Sequence, residues 1–210
     1  MPMPISGQPG APVASTGPGT PNVPYRQSNT NEMNVSEVHA PYFESSYRGG
    51  RFGGANQAAV ALTAAFATTY TGLVLYNPPS SSVYGVLEKV GIGNSVVWPL
   101  ASVIGLMIGQ SNTALSGLTA LVPKSKKVGS SITPVCGLAS AATLSATPTL
   151  DTVLASVGTL ATTGYETTGG LFIPNGDIVI PPGGFVAIYS TVALTAAGIF
   201  SFQWEETPYP

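Results

Sequence analysis

Charged residues are scarce in this sequence. Only 8% of its 210 residues are Asp, Glu, Lys or Arg, whereas ordinary soluble domains carry about 25%. The formal net charge is -2, so the chain lacks the excess of positive charge that marks nucleic-acid-binding proteins. Because 44% of the residues are hydrophobic, the chain is not a disordered polyelectrolyte. We therefore expect a folded protein with little surface charge and no nucleic-acid partner.

Histidine and cysteine are almost absent. The single histidine is His39 and the single cysteine is Cys136, which stands among apolar residues. Transition-metal sites need clusters of such ligands, and a serine nucleophile needs a base that is usually histidine. We expect no enzyme, no metal and no cofactor, with Cys136 a small buried hydrophobe. One enzymatic alternative stays open, in which Asp151, Glu166 and Asp177 supply paired carboxylates for glycoside hydrolysis.

Long hydrophobic runs are also missing. The longest apolar stretch, residues 96–109, contains Pro99 and Ser102, and a membrane span needs about 20 apolar residues. No Lys or Arg precedes Arg26, and no apolar segment typical of a secretory signal follows the first methionine. We expect no membrane partner and a product that folds and assembles in the cytoplasm where it is made.

Glycine and proline are plentiful instead, and their distribution divides the chain near residue 55. Residues 1–24 are rich in both types, which favours extended polyproline-like backbone. From residue 55 onward, short apolar runs alternate with turn residues. The sequence therefore predicts an extended N-terminal arm over residues 1–54 and a folded body over residues 55–210.

The second half of the predicted arm carries aromatic residues and all three arginines. These types are enriched at the energetic centres of protein interfaces. We predict that they anchor the arm to a partner: Tyr25, Arg26, Tyr42, Phe43, Tyr47, Arg48, Arg51 and Phe52. The run Arg-Gly-Gly-Arg at residues 48–51 is similar to the boxes of RNA-binding tails. It occurs once, so a flexible hinge with two anchoring arginines is favoured.

The body has the pattern of an all-β protein. Candidate strands cover residues 71–76, 83–92, 100–108, 115–122, 185–189 and 199–205. The run at 100–108 is continuously apolar, which predicts burial on both faces. In the last strand Phe200, Phe202 and Trp204 alternate with polar residues, as in a half-buried antiparallel strand. The number and spacing of strands predict an antiparallel β-sandwich of jelly-roll type with an extended N-terminal arm.

Turn residues refine this picture in the C-terminal part. Asn175 and Gly176 separate two apolar runs and predict a β-hairpin between residues 171–174 and 177–180, because both turn positions need positive φ. The Ala-rich stretch 57–66 leaves helix and strand both open. A basic loop contains Lys124, Lys126 and Lys127. We interpret it as a solvated turn, with contact to an acidic partner surface as the alternative.

Four segments of the body resemble the jelly-roll cement or decoration proteins of tailed bacteriophages. They are residues 72–78, 87–93, 181–189 and 200–206, with sequences GLVLYNP, LEKVGIG, PPGGFVAIY and FSFQWEE. The likeness covers roughly residues 60 to 206, contains no catalytic motif and excludes the arm. It implies a virion structural protein on the capsid exterior. Its partners would be the major capsid protein and copies of itself, commonly in a homotrimer.

The function expected from these observations is that of a capsid cement subunit, which binds the assembled shell and stabilises it. The burial of apolar and hydroxyl-rich surface, with strand or arm addition to neighbouring subunits, would supply the binding energy. The alternative is a head-fibre, tail or receptor-binding virion protein that shares the sandwich and binds host glycans with its loops.

Overall fold

The computed structural model describes residues 42–95, 98, 101–157 and 169–208. Within these ranges the chain forms one short helix and thirteen strands. They are α1 Phe43–Arg48, β1 Arg51–Ala55, β2 Val60–Leu62, β3 Thr69–Tyr76, β4 Val83–Asn94, β5 Ser102–Gln110, β6 Ala120–Leu121, β7 Lys124–Ser125, β8 Gly137–Thr143, β9 Thr149–Val157, β10 Gly169–Phe172, β11 Ile178–Ile180, β12 Gly184–Ser190 and β13 Leu194–Pro208. The predicted all-β class is confirmed.

The strands pair in a nested, antiparallel order. The first strand, β1, pairs with the last, β13, and β3 pairs with β12. Further inward, β4 pairs with both β10 and β11, and β5 pairs with β9. The chain is therefore one long antiparallel ribbon whose two halves lie against each other. Additional pairing of β13 with β4 and of β12 with β5 rolls this ribbon into two sheets, which is the jelly-roll arrangement.

The two packed sheets differ in their edges. Sheet 1 has the order β10-β4-β13-β1-β7, with β11 also on β4 and β2 also on β13. Sheet 2 has the order β6-β8-β3-β12-β5-β9. One lateral side of the sandwich therefore ends in the two-residue strands β6 and β7, and the opposite side ends in β9, β10 and β11.

The main core fills the space between the sheets. Phe200, Phe202 and Trp204 lie in it with no exposed surface, which confirms the predicted face of the last strand. A second apolar cluster covers the outer face of sheet 2. It explains the run in β5, where Leu106 belongs to the first cluster and Met107 to the second. Burial on both faces is thus confirmed for β5.

The predicted boundary at residue 54/55 is wrong, because it falls inside β1. The compact unit begins at Tyr42, and β1 pairs with β13 over its whole length and with β7 at Phe52 and Gly53. Phe52 packs against Trp204 in the main core, with ring centroids 6.1 Å apart. Residues 42–54 therefore belong to the folded body. The extended arm remains a prediction for residues 1–41, which lie outside the described ranges.

The predicted hairpin around Asn175 and Gly176 is correct in its turn and wrong in its pairing. Both residues have positive φ, 54° and 89°, and the Asp177 amide donates to the Pro174 carbonyl at 3.1 Å. However, β10 and β11 do not pair with each other, and each pairs with β4. Because β4 is twelve residues long, both segments can pair with it one after the other. The turn therefore connects two strands that lie along the same edge of β4.

Two other predictions concern short segments. Residues 115–122 were expected to form one strand, but only Ala120–Leu121 does so, beside an isolated bridge at Ser116. The ambiguous stretch 57–66 contains the strand Val60–Leu62 and no helix. The Cys136 side chain is 1% exposed, as predicted.

Candidate interaction surface

The structure begins with a helix that the sequence pattern did not predict. Tyr42 precedes α1 with a positive φ of 74°, and Gly49 ends it with a φ of 81°. The amides of Gly49 and Gly50 donate to the carbonyls of Ser46 and Ser45, so the last turn is closed by a glycine cap. A helix of six residues is too short to be stable alone. Its contacts with the sheet must therefore hold it in place.

The helix lies over a buried ion pair. Arg51 of β1 donates through Nε and Nη2 to Oε2 of Glu88 in β4, and the Nε–Oε2 distance is 2.6 Å. Both side chains are almost completely buried. The Tyr42 ring covers the guanidinium, whose central carbon is 4.0 Å from the ring centroid, and Ser46 Oγ accepts a further bond at 3.4 Å. A buried charge needs such partners because desolvation is costly.

A bulge explains why Glu88 reaches Arg51. Along the β4–β13 pair, Lys89 lies opposite Gln203 and Leu87 lies opposite Trp204, so Glu88 is an extra residue without a cross-strand partner. Leu87 and Val90 both point into the main core. The bulge therefore turns Glu88 to the outer face of sheet 1. Simple alternation along β4 could not predict this, and Glu88 was missed as a partner of Arg51.

More charged groups surround the pair. Glu205 lies opposite Arg51 across β1 and β13, and burial together with the nearby Glu88 carboxylate raises its pKa, against the opposing effects of Arg51 and Ser45. Partial desolvation, with the positive charges of Arg51 and Lys89, lowers the pKa of Lys126, against the opposing effect of Glu88. The outer face of sheet 1 near α1 therefore carries charged groups that are buried or partly buried, among them Arg51, Glu88 and Glu205.

Glu206 fixes the end of the loop beside the helix. Its carboxylate accepts from the amides of Val135 and Cys136 at 3.0 and 2.8 Å and from Trp204 Nε1 at 3.2 Å. The neighbouring Cys136 thiol has its pKa raised, chiefly by burial and further by Glu206, so it lacks the lowered pKa of a reactive cysteine. Glu206 is therefore used to hold residues 135–136 against the body.

The outer side of α1 presents an ordered aromatic and basic surface. Phe43 and Tyr47 stack with centroids 5.8 Å apart, and Lys127 Nζ lies 4.6 Å from the centre of the Tyr47 ring. Arg48 bonds to Glu44 one turn earlier, and both are exposed. Phe43 is 43% exposed and Tyr47 61%. We call Phe43, Tyr47 and Arg48 the helix surface.

The predicted anchors thus divide into three groups. Tyr25 and Arg26 lie outside the described residues. The prediction is wrong for Arg51 and Phe52. Arg51 is held in an internal ion pair and Phe52 lies in the core, so neither is accessible to a partner. Tyr42 covers Arg51. The three residues of the helix surface are exposed and adjacent, and they are the predicted anchors that the fold presents to solvent.

Charge is concentrated around α1 and the neighbouring strands of sheet 1. The described ranges contain twelve charged residues, of which ten lie on α1, on the strands beneath it or on the neighbouring loop: Glu44, Arg48, Arg51, Glu88, Lys89, Lys124, Lys126, Lys127, Glu205 and Glu206. We call residues 122–135 the lysine loop. The other two charges, Asp151 and Asp177, lie on or beside the strands of the opposite side.

That opposite side is apolar and partly open. We call its strands β9, β10 and β11, with the connection 173–177, the open edge. Five large apolar side chains are exposed there: Leu150, Val153, Leu171, Ile173 and Val179. A cleft of about 510 Å³ opens between the edges of the two sheets, lined mainly by apolar residues including Ile108, Ile178, Ile180 and Val186.

Metal and membrane features are limited in the part of the chain that the structure describes. No three His, Cys, Asp or Glu side chains there come close enough together to hold a metal ion. No described helix is long and apolar enough to cross a membrane. In comparisons with known proteins, no protein-family model, no curated protein sequence and no solved structure matches this chain.

Proposed function

We propose that this protein is a virion structural subunit, a capsid cement or decoration protein that binds the assembled shell and stabilises it. The observation that carries the proposal is the helix surface. A stacked aromatic pair and an adjacent arginine, which is paired with Glu44, lie at the start of the folded body, directly after residues 1–41. Such residues lose little entropy on binding because they are already fixed, and their types dominate interface energetics.

The charge pattern supports the same role. A body with two unlike lateral sides, one with a loop that carries three lysines and one mainly apolar, is suited to repeated contact with other protein subunits. Exposed apolar patches on soluble proteins commonly mark interaction sites. The jelly-roll order of the strands agrees with the resemblance of the sequence to phage cement proteins, but fold alone does not determine function.

Binding to capsids that lack this protein tests the proposal. Replacing Phe43, Tyr47 and Arg48 together by alanine should weaken binding at least about 30-fold, the effect of losing a hot spot worth about 2 kcal/mol. The matched control is Phe66→Ala, because Phe66 is an aromatic residue 54% exposed elsewhere on the body. Equal binding by the triple variant and the wild type would reject the helix surface as the anchor.

The number of copies per particle tests the biological role separately. A cement protein should be present in hundreds of copies distributed over the shell, which imaging of intact particles would show. A dozen or so copies at a single position would contradict the cement role and favour a head-fibre, tail or receptor-binding protein, which a glycan-binding panel would then examine.

A further inference from the structure

The two lateral sides of the sandwich are unlike in shape and charge. In sheet 1 the open edge and the lysine loop are separated by the full order of strands from β10 to β7, roughly 20 Å at about 4.8 Å per strand. The lysine loop carries three lysines and no acidic residue, and the described residues of the open edge carry two aspartates and no basic residue. The lysine loop is thus formally +3, and the described part of the open edge is formally -2.

Both sides also expose apolar residues. On the lysine loop Val122, Val128, Ile132 and Val135 are exposed, and Val128 is 98% exposed, the highest value among the exposed large hydrophobics. Val128 stands at the tip of a turn in which the Ser130 amide donates to the Lys127 carbonyl and Gly129 has a φ of 83°, as in a type II turn. A projecting valine between basic residues therefore faces away from the body.

The open edge has an apolar cleft and nearby acidic residues, which fit the projecting valine and the lysines of this turn. Its cleft of about 510 Å³ is lined mainly by apolar residues, with Gln110 and Thr149 as the polar ones, and has room for a small apolar side chain. Asp177 directly precedes Ile178, which lines the cleft, and Asp151 lies two residues after Thr149, which also lines it. Both aspartates are exposed. Both sides therefore expose apolar residues, and the charges beside them are opposite in sign.

We propose that copies of this chain associate head to tail, with the lysine loop of one copy packed on the open edge of the next and Val128 directed into the cleft. A two-fold contact of either side with itself would place like charges together, which is unfavourable. A contact between unlike surfaces closes into a ring or continues as a filament. Because the two surfaces lie on opposite sides of the sandwich, two copies cannot make both contacts with each other at once, and a closed assembly needs at least three copies.

The contact would be made by side-chain packing and not by joining the sheets. The pairing of β9 with β5 shifts register twice, between Ile104 and Gly105 and between Leu106 and Met107. Such irregularities interrupt the hydrogen-bonding groups that a new strand would need. On the other side, β6 and β7 have only two residues each. Neither β9 nor the short strands β6 and β7 are therefore suited to strand addition.

Sedimentation of the full chain at micromolar concentration, without capsids, tests the proposal. The wild type should sediment as an assembly of three or more copies, and Val128→Asp should be a monomer. Val192→Asp is the matched control, because Val192 is exposed but lies between β12 and β13, and it should assemble like the wild type. Reversing the charge of the loop, in Lys124→Asp/Lys127→Asp, should also give a monomer. Adding Asp151→Lys/Asp177→Lys to that same chain should restore the assembly.

A mixing experiment separates the head-to-tail contact from a two-fold one. Val128→Asp leaves the open edge intact, and Val153→Asp/Val179→Asp leaves the lysine loop intact. Each variant alone should be monomeric, and an equal mixture should form a one-to-one dimer that grows no further. A wild-type monomer or two-copy dimer, an assembled Val128→Asp variant, or no dimer in the mixture would each overturn the proposal. Capsid binding is measured separately, so the failure of the proposed function would leave this result unchanged.

Discussion

The two lateral sides of this sandwich manage their edges in opposite ways. On the side of the lysine loop, very short strands, Pro123 and three lysines prevent another strand from adding, which is a common way of protecting a sheet edge. On the open edge the strand β9 has nine residues, and five large apolar side chains are exposed around it. The first side combines its charges with α1 to complete the fold. The second leaves apolar surface that the fold itself does not use.

The difference shows that several of the described charged residues serve the fold itself. Arg51 and Glu88 are buried together, and Glu206 binds the amides at the end of the lysine loop. With so few charges available, concentrating them near α1 lets a short N-terminal segment dock on the sheet. Among the described residues the open edge carries only Asp151 and Asp177, and its exposed apolar side chains can be covered by protein at low cost.

Truncation of the N-terminus should produce the largest loss of stability. Removing residues 1–54 deletes α1 and most of β1, takes Phe52 from the core and leaves Glu88 buried without Arg51. We expect that chain to fail to fold, as judged by circular dichroism. Removing only residues 1–41 should leave the melting temperature nearly unchanged, because the compact unit begins at Tyr42. A stable fold after removal of residues 1–54 would show that the charged side is dispensable.

The next largest effect should come from breaking the buried ion pair. Glu88→Gln removes the charge that compensates Arg51, and such a loss costs about 3–5 kcal/mol of unfolding free energy. The matched control is Glu44→Gln, which removes the same charge from the exposed pair with Arg48, and it should cost at most about 0.5 kcal/mol. Urea denaturation measures both. Equal losses in the two variants would contradict the structural importance of the buried pair.

Two neighbouring residues of β11 should show which part of the open edge the fold needs and which part only forms its surface. Ile180 is 2% exposed in the core, whereas Val179 is 50% exposed. Replacement of Ile180 by threonine should cost about 2 kcal/mol, because it removes apolar volume and buries a hydroxyl. Val179→Thr should change the unfolding free energy by no more than about 0.5 kcal/mol. A large loss for Val179→Thr, under conditions where the protein is monomeric, would mean that this surface is needed for folding.

The smallest effect concerns pH. Burial and Glu88 raise the pKa of Glu205, so the folded state holds this proton more tightly than the unfolded state. Stability from this group is therefore greatest at low pH and is lost as pH rises from the ordinary glutamate value through the raised one. Glu205→Gln cannot ionise, so its stability relative to the wild type should increase over that interval. Urea midpoints at a series of pH values measure the difference, and a difference independent of pH would contradict the shift.

Several features of the fold could be predicted from local sequence. The alternation of Phe200, Phe202 and Trp204 gave the buried face of β13, and the continuous apolar run in β5 gave burial on both faces. The positive φ values at Asn175 and Gly176 were likewise predictable. Each depends only on where a residue's own backbone directs its side chain or on which torsion angles a residue type tolerates.

Other features depended on competition between distant segments. The turn at Asn175 does not show that β10 and β11 pair with β4, because that choice depends on the length of β4. Nor could the pattern place Tyr42 and α1 on the body, since six residues form a helix only when the sheet supports them.

What the sequence determined by itself was the class of the fold, the faces of its clearest strands and the shortage of charge. Only the tertiary structure decided where the charges meet. Arg51 and Glu88 are 37 residues apart and come together through strand pairing and a single bulge in β4. The physical reason is that side-chain direction is local, whereas the partner of a buried charge is set by long-range packing, and one extra residue in a strand moves it from one face to the other.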